Sequence, residues 1–422
     1  MADQPRFLIV RGAAVVRPTS VDVLDVVCAA GRVVALERSG TVVADDARVV
    51  DANGLHLFPG AVDAHVHLDE PGRVEWEGFD CGSAAAAAGG VTTVVDMPID
   101  SDPPTTTAAL VAAKADAAER SSRVDVALWG GLVPASVPRL DELAEAGVVG
   151  LKAFACPSGW EDFPAADEPT LRAGFAWSAR WGRPVGVHAE LEELGHTSGS
   201  EVAAVRWAAG LAAEERGHLH VVHVSSADAV DEAARWPGVT LETCPHYLVI
   251  DDAEAGAIGP DARCNPPIRS AANQRRLWDA LATGTIGVIA SDHSPCPSEL
   301  TRGPEPWAGI TGLDTFLPSL LDRGGLPLTA LARAMTAAAE LLALPGKGAI
   351  AVGNDADLVL VDLDREWTVT PGALRNRHRR SPLLGRSLRG QVVQTFVRGR
   401  SVHDATNGPC PPGGGRILRP VS

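Results

Sequence analysis

The chain has 422 residues, 45% of them hydrophobic, enough to bury a substantial core in one large domain and a smaller one. Its formal charge of -16 includes no basic block able to follow a phosphate backbone, which argues against nucleic acid as a partner. There is no apolar run of about 18 residues, the start is polar (Met1, Ala2, Asp3, Gln4), and the seven cysteines are scattered. A membrane span, a signal peptide and a disulfide framework are therefore not expected, and the default is a soluble cytoplasmic protein.

Residues 1–55 carry β-rich runs, Phe7 to Val16, Val21 to Val27 and Arg32 to Leu36, with turn residues such as Ala30-Gly31 between them. Asp357 to Val361 and Gln391 to Val397 repeat the pattern near the other end, with a turn at Arg398-Gly399-Arg400. Both ends, 1–55 and 346–422, are expected to build one small β domain. Over 56–345 strand and helix signals alternate. The predicted strands are Ala61 to His67, Val91 to Met97, Val124 to Leu132, Val148 to Phe154, Pro184 to His188, Leu219 to Val224, Val239 to Thr243 and Ile286 to Ser291. Helical stretches separate them, among them Gly78 to Ala88, Thr107 to Arg120, Ser226 to Trp236 and Ala271 to Ala282. An α/β fold of the TIM (β/α)8 type is expected, although a doubly wound open sheet would read similarly.

In a barrel, function gathers where strands end. Successive strand side chains alternate faces, so His65 and His67 share one side and converge, a natural pincer for a zinc-like ion. Lys152 lies near the end of the fourth strand, His188 ends the fifth, His223 the sixth, and Asp292 the eighth. Lysine is rare: of 37 basic residues only Lys114, Lys152 and Lys347 are lysine. An ammonium has no lone pair for a metal, but a desolvated amine can take up carbon dioxide and present a carbamate able to bridge two ions. Two such ions would acidify a trapped water to hydroxide at neutral pH, and Asp292 could carry its proton to a leaving nitrogen. The chemistry expected is metal-assisted hydrolysis of an unactivated carbonyl compound.

Several long segments carry a resemblance: PGAVDAHVHLDEPGRVEWEGF (59–79), AAAAGGVTTVVDMP, PPTTT, VVGLKAFACPSG, HVVHVSS, CPHY, NPPIR and ASDHSPC. Together they resemble the cyclic amidohydrolases of the amidohydrolase superfamily, most closely its allantoinase branch, over nearly the whole chain. The resemblance implies a TIM barrel with a small β-sandwich from both termini, and often a tetramer. It implies two divalent ions, zinc first, with manganese, cobalt and iron open. His65, His67 and Asp292 would hold one ion and His188 and His223 the other, with carboxylated Lys152 between them and Asp292 as catalytic acid and base. The implied substrate is a cyclic ureide, allantoin going to allantoate. A hydantoinase or dihydropyrimidinase specificity comes second, and a silent scaffold homologue third.

Three positions depart from that branch. Asp69 and Asp100 stand where asparagine is usual, and Asn265 where serine is usual; all three are expected at the substrate. Asp69 also speaks against dihydroorotase, which has an arginine there for a substrate carboxylate. The acids would favour a substrate rich in N–H donors or one with positive charge. The span from His188 to His223 is short for the branch, and Cys156 and Cys296 are expected near the mouth. His246 is expected behind the ligands, and His293 off the metal face.

Overall fold

Alternating apolar residues near the start make a sheet. In the computed structural model, which describes residues 7–42, 46–303 and 306–421, β1 (Phe7–Val16), β2 (Val21–Ala29), β3 (Arg32–Arg38), β4 (Ala47–Asp51) and β5 (His56–Pro59) come first. Ala30 (φ 50°) and Gly31 (φ 80°) form the two-residue link between β2 and β3, both left-handed, the geometry that matches the twist of a tight hairpin.

The barrel follows. Its strands are β6 (Ala61–Val66), β7 (Val91–Asp96), β8 (Asp125–Leu128), β9 (Gly130–Gly131), β10 (Leu151–Phe154), β11 (Val185–His188), β12 (Leu219–Val221), β13 (Thr240–Thr243) and β14 (Val288–Ile289). They form two parallel sheets, β6-β7-β8 and β9 to β14 in order. β8 and β9 are two halves of one strand that changes neighbour at Trp129. The Trp129 N–H donates to Asp96 O on β7 at 3.0 Å, and the Gly130 N–H to Gly150 O beside β10 at 3.0 Å. The other seam is closed by a parallel bridge between Val66 and His293 and by the His67 N–H on His293 O at 2.8 Å. The strands thus run once round a (β/α)8 barrel, and the open-sheet alternative falls away.

Fully buried Trp129 donates Nε1 to Ala64 O at 2.9 Å, reaching past β7 to the first strand. A Cβ on Gly150 would lie 2.3 Å from its ring, so glycine is needed there. The alanine-rich helix Gly78–Ala88 lays Ala84 to Ala87 on the strands, and Gly89 beyond it lets Leu313 O approach to 1.8 Å of where a Cβ would be.

β15 (Leu358–Thr368), β16 (Ser387–Val397), β17 (Arg400–Asp404) and β18 (Gly408–Pro409) return to the first sheet, in the order β18-β17-β16-β15-β5-β1-β2-β3 with β4 on β1. The terminal β domain is thus one nine-stranded sheet whose strands share an apolar cluster including Val10, Val26, Leu57, Leu358 and Phe396. Two details differ from expectation. β5 pairs with β1 and β15, so the sheet runs past residue 55 to Pro59. The last residues leave it: the Val126 N–H donates to Arg416 O and the Leu418 N–H to Val126 O, so the tail lies along β8. Among the described residues no helix is long and apolar enough to cross a membrane.

Candidate metal centre

The strands are parallel, so their carboxyl ends face one way, and the six donor groups expected from the sequence sit at that end. Asp292 Oδ1 lies 3.3 Å from His65 Nε2 and 3.5 Å from His67 Nε2. These three buried residues have the spacing of a metal-ligand set. His188 Nδ1 and His223 Nε2 face each other at 2.9 Å, and the His223 ring lies 5.2 Å from that of His65, tilted by 35°. Two clusters of imidazole therefore adjoin.

Each cluster is oriented from outside. His65 Nδ1 lies 2.6 Å from Glu242 Oε1, His67 Nδ1 2.7 Å from Asp100 Oδ2, and His188 Nε2 2.9 Å from Glu190 Oε2. A carboxylate only accepts, so it draws the ring proton to the outer nitrogen and leaves a lone pair on the inner one. Burial lowers the pKa of His65, His188 and His223, which keeps these rings neutral and able to ligate. Asp292 is held down at about 2; burial alone would raise it, but His65, His67 and His246 outweigh that.

Lys152 lines the same pocket as both clusters. It is wholly buried and its Nζ has no hydrogen-bond partner; the Phe154 ring centroid lies 4.7 Å from Nζ. Burial is the chief reason its pKa falls to about 8, against the pull of Asp292 and Glu242. At His67 burial alone would lower the pKa, but Asp100 and Asp292 outweigh it and raise it to about 9. Four imidazoles, three of them with a carboxylate on the outer nitrogen, one further carboxylate and one orphaned amine could hold a pair of divalent ions if the amine became an anion.

Backbone strain is concentrated here. Asp69 (φ 60°), Asp100 (φ 71°), His223 (φ 39°) and Asp292 (φ 47°) all occupy the left-handed region without being glycine. Such residues persist only where surrounding packing overrides their preference.

Asn265, Asp100 and Cys156 line the same pocket as the six donor groups. The two acids differ in placement. The Asp100 carboxylate is engaged by His67 and by Trp160 Nε1, which donates to its other oxygen. Asp69 is 1% exposed and does not line the pocket. Both its oxygens lack partners, and burial beside Asp100, Asp96 and Glu77 pushes its pKa well above the ordinary carboxylate range. Cys296 lies in a separate recess with Arg380 and Asp261. His293 turns away, its Nδ1 accepting from the Gly312 N–H at 3.2 Å. His246 is buried with Nε2 unpartnered, its ring 4.2 Å from that of Tyr247.

Glu190, Glu242 and Trp160 escaped the sequence reading. A signal existed for two of them: Glu242 is a charge inside the predicted strand Val239 to Thr243, and Glu190 follows His188 by two residues at a strand end.

A barrel with histidines, a carboxylate and a buried amine at its carboxyl-end mouth defines the class, a hydrolase with a divalent-metal donor set. Residues 56–402 match the model of the Amidohydrolase family, and the chain belongs to that family. It is 43% identical to an allantoinase of Rubrobacter xylanophilus, with 98% of this chain and 97% of that one covered. It is 39% identical to an allantoinase of Deinococcus radiodurans, over 98% and 99% of the two chains. Among solved structures, an L-hydantoinase (dihydropyrimidinase) from Arthrobacter aurescens superposes with a TM-score of 0.92 at 32% identity, covering 98% of this chain and 99% of that one. The dihydropyrimidinase from Brevibacillus agri gives 0.89 at 28% identity, with the same coverage. The protein is an enzyme that hydrolyses cyclic amide bonds.

Proposed function

We propose that this enzyme opens the ring of allantoin to give allantoate, with two divalent ions, zinc first among them. His65, His67 and Asp292 would hold one ion and His188 and His223 the other. Lys152, carrying a carbamate made from carbon dioxide, would bridge them. The observation that carries this reading is the Lys152 amine, buried without a partner in the pocket that the four imidazoles line. Burying an unpaired ammonium costs several kcal/mol, roughly, and conversion to an anion between cations removes that cost.

When bound, the ions supply polarisation of the scissile carbonyl and acidification of a water. The chain does the rest. Asp292 Oδ1, poised between His65 and His67, receives the water's proton and delivers it to the departing ring nitrogen. Glu242, Asp100 and Glu190 keep three imidazoles in one tautomer. Asn265 lines the pocket as an amide able to pair with the ring. Allantoin as substrate is supported by the allantoinases at 43% and 39% identity. A tetramer and a cytoplasmic site of action complete the proposal on family grounds.

A second reading, opening of hydantoins or dihydropyrimidines, is supported by the likeness to the Arthrobacter L-hydantoinase. Protein reconstituted with zinc in bicarbonate, then assayed on allantoin, hydantoin, dihydrouracil and dihydroorotate, separates the two. Allantoin is expected to give the highest kcat/KM, with loss of turnover on chelation. Preference for hydantoin or dihydrouracil would select the second reading. Turnover indifferent to chelators would overturn both.

A further inference from the structure

His196 has no part in the roles above. Its ring lines the same pocket as His65, Lys152 and Asp292, yet 56% of the side chain is exposed, so it stands at the open end. Nδ1 lies 3.1 and 3.2 Å from the two oxygens of Glu190, the carboxylate that also faces His188 Nε2. Glu190 can only accept, so in the neutral His196 ring the proton sits on Nδ1 and Nε2 keeps its lone pair.

The peptide is fixed as firmly as the ring. Arg269 Nη1 donates to His196 O at 3.2 Å, and Arg269 is itself held by Glu201 Oε1 at 2.7 Å and by Ser225 Oγ at 3.1 Å. Arg269 belongs to the NPPIR segment, and Glu201 is 2% exposed. A solvated loop histidine has no use for a buried carboxylate on its ring and an anchored arginine on its backbone. An acceptor that must meet a ligand at a set place does.

Ring opening places the scissile carbonyl at the floor of the pocket, among the metal donors. Whatever the ring carries beyond that point extends towards the mouth. There the wall near Trp307 is apolar, its indole 5.1 Å from that of Trp160, whereas His196 offers a fixed lone pair.

We propose that His196 is a specificity-determining residue whose Nε2 accepts a hydrogen bond from an N–H on the substrate's side arm, selecting cyclic ureides with an amide or ureido substituent over unsubstituted rings. This rests on the cyclic-ureide reading above. Because Glu190 spans His196 and His188, the arm is read by the same carboxylate that orients a metal donor.

The test compares wild type, His196→Ala and His196→Gln, each zinc-loaded, on allantoin, which has a ureido arm, and on unsubstituted hydantoin. His196→Ala is expected to lower the ratio of kcat/KM for allantoin over hydantoin about tenfold, the scale of one neutral hydrogen bond, mainly through KM. His196→Gln, which keeps an acceptor, is expected to regain most of that ratio, and both variants to bind as much zinc per chain as wild type. An unchanged ratio, equal losses on both substrates, or loss of zinc would overturn the proposal while leaving the function standing. If wild type opens neither ring, the proposed function and this inference fall together.

Discussion

All three lysines of this chain are buried, at 1% exposure for Lys114, 0% for Lys152 and 7% for Lys347, but their surroundings differ. Lys114 donates to Asp96 and to Met97 O. Lys347 sits among Asp125 at 2.6 Å, Asp355 at 3.0 Å and Asp357 at 2.6 Å, filling a carboxylate group that otherwise has the spacing of a cation site. Lys152 has neither. Opposite outcomes follow on substitution. Lys347→Met leaves buried carboxylates without their counter-charge and should cost about 3–5 kcal/mol in urea denaturation. Lys152→Met removes an unpaired amine, so the metal-free protein should be at least as stable as wild type while zinc binding and turnover are lost. A destabilised metal-free Lys152→Met would mean the amine is structural. At Asp100, exchange for asparagine weakens the outer hold on His67, and zinc affinity measured by chelator competition should fall about tenfold or more.

At the scale of elements, β6 and β7 match the predicted runs to within about a residue, because an apolar stretch bounded by turn residues carries its own signal. The third strand was legible only as one run, Val124 to Leu132. Its division into β8 and β9 depends on a change of neighbour at Trp129, a tertiary fact with no local pattern. Gly150→Ala tests that arrangement. Its Cβ would press on the Trp129 ring, and a loss of about 1–3 kcal/mol of stability is expected, read as a lower urea midpoint at unchanged slope. The six donor groups could be read because each lies at or near the end of a predicted strand. The acids beside them could not. Asp69 and Asp100 lie in a loop where left-handed backbone decides which way a carboxylate turns, and aspartate tolerates that conformation without advertising it. The fold keeps Asp100 at the pocket with its carboxylate on His67, and buries Asp69 away from it.

At the scale of the whole molecule, pH acts through buried histidines remote from the pocket. His403 on β17 is 6% exposed, and burial together with Arg375 lowers its pKa from 6.5 to about 4. The unfolded chain binds that proton below about pH 6.5 and the native chain only below about 4, so stability falls as pH drops through this window. Between pH 7 and pH 5 the loss should be about 2 kcal/mol, and His403→Phe should flatten the dependence of the urea midpoint over that range. An equal slope in both proteins would assign the effect elsewhere.

The placement of β5 between β1 and β15 has a consequence for synthesis. Pro59 pairs with Leu358, so at ribosomal rates of roughly 5–20 residues per second the nascent chain carries an open strand edge for about 15–60 s before its partner emerges. The first strands made are among the last to be covered, and this enzyme should depend on chaperones during translation more than its short barrel connections would suggest.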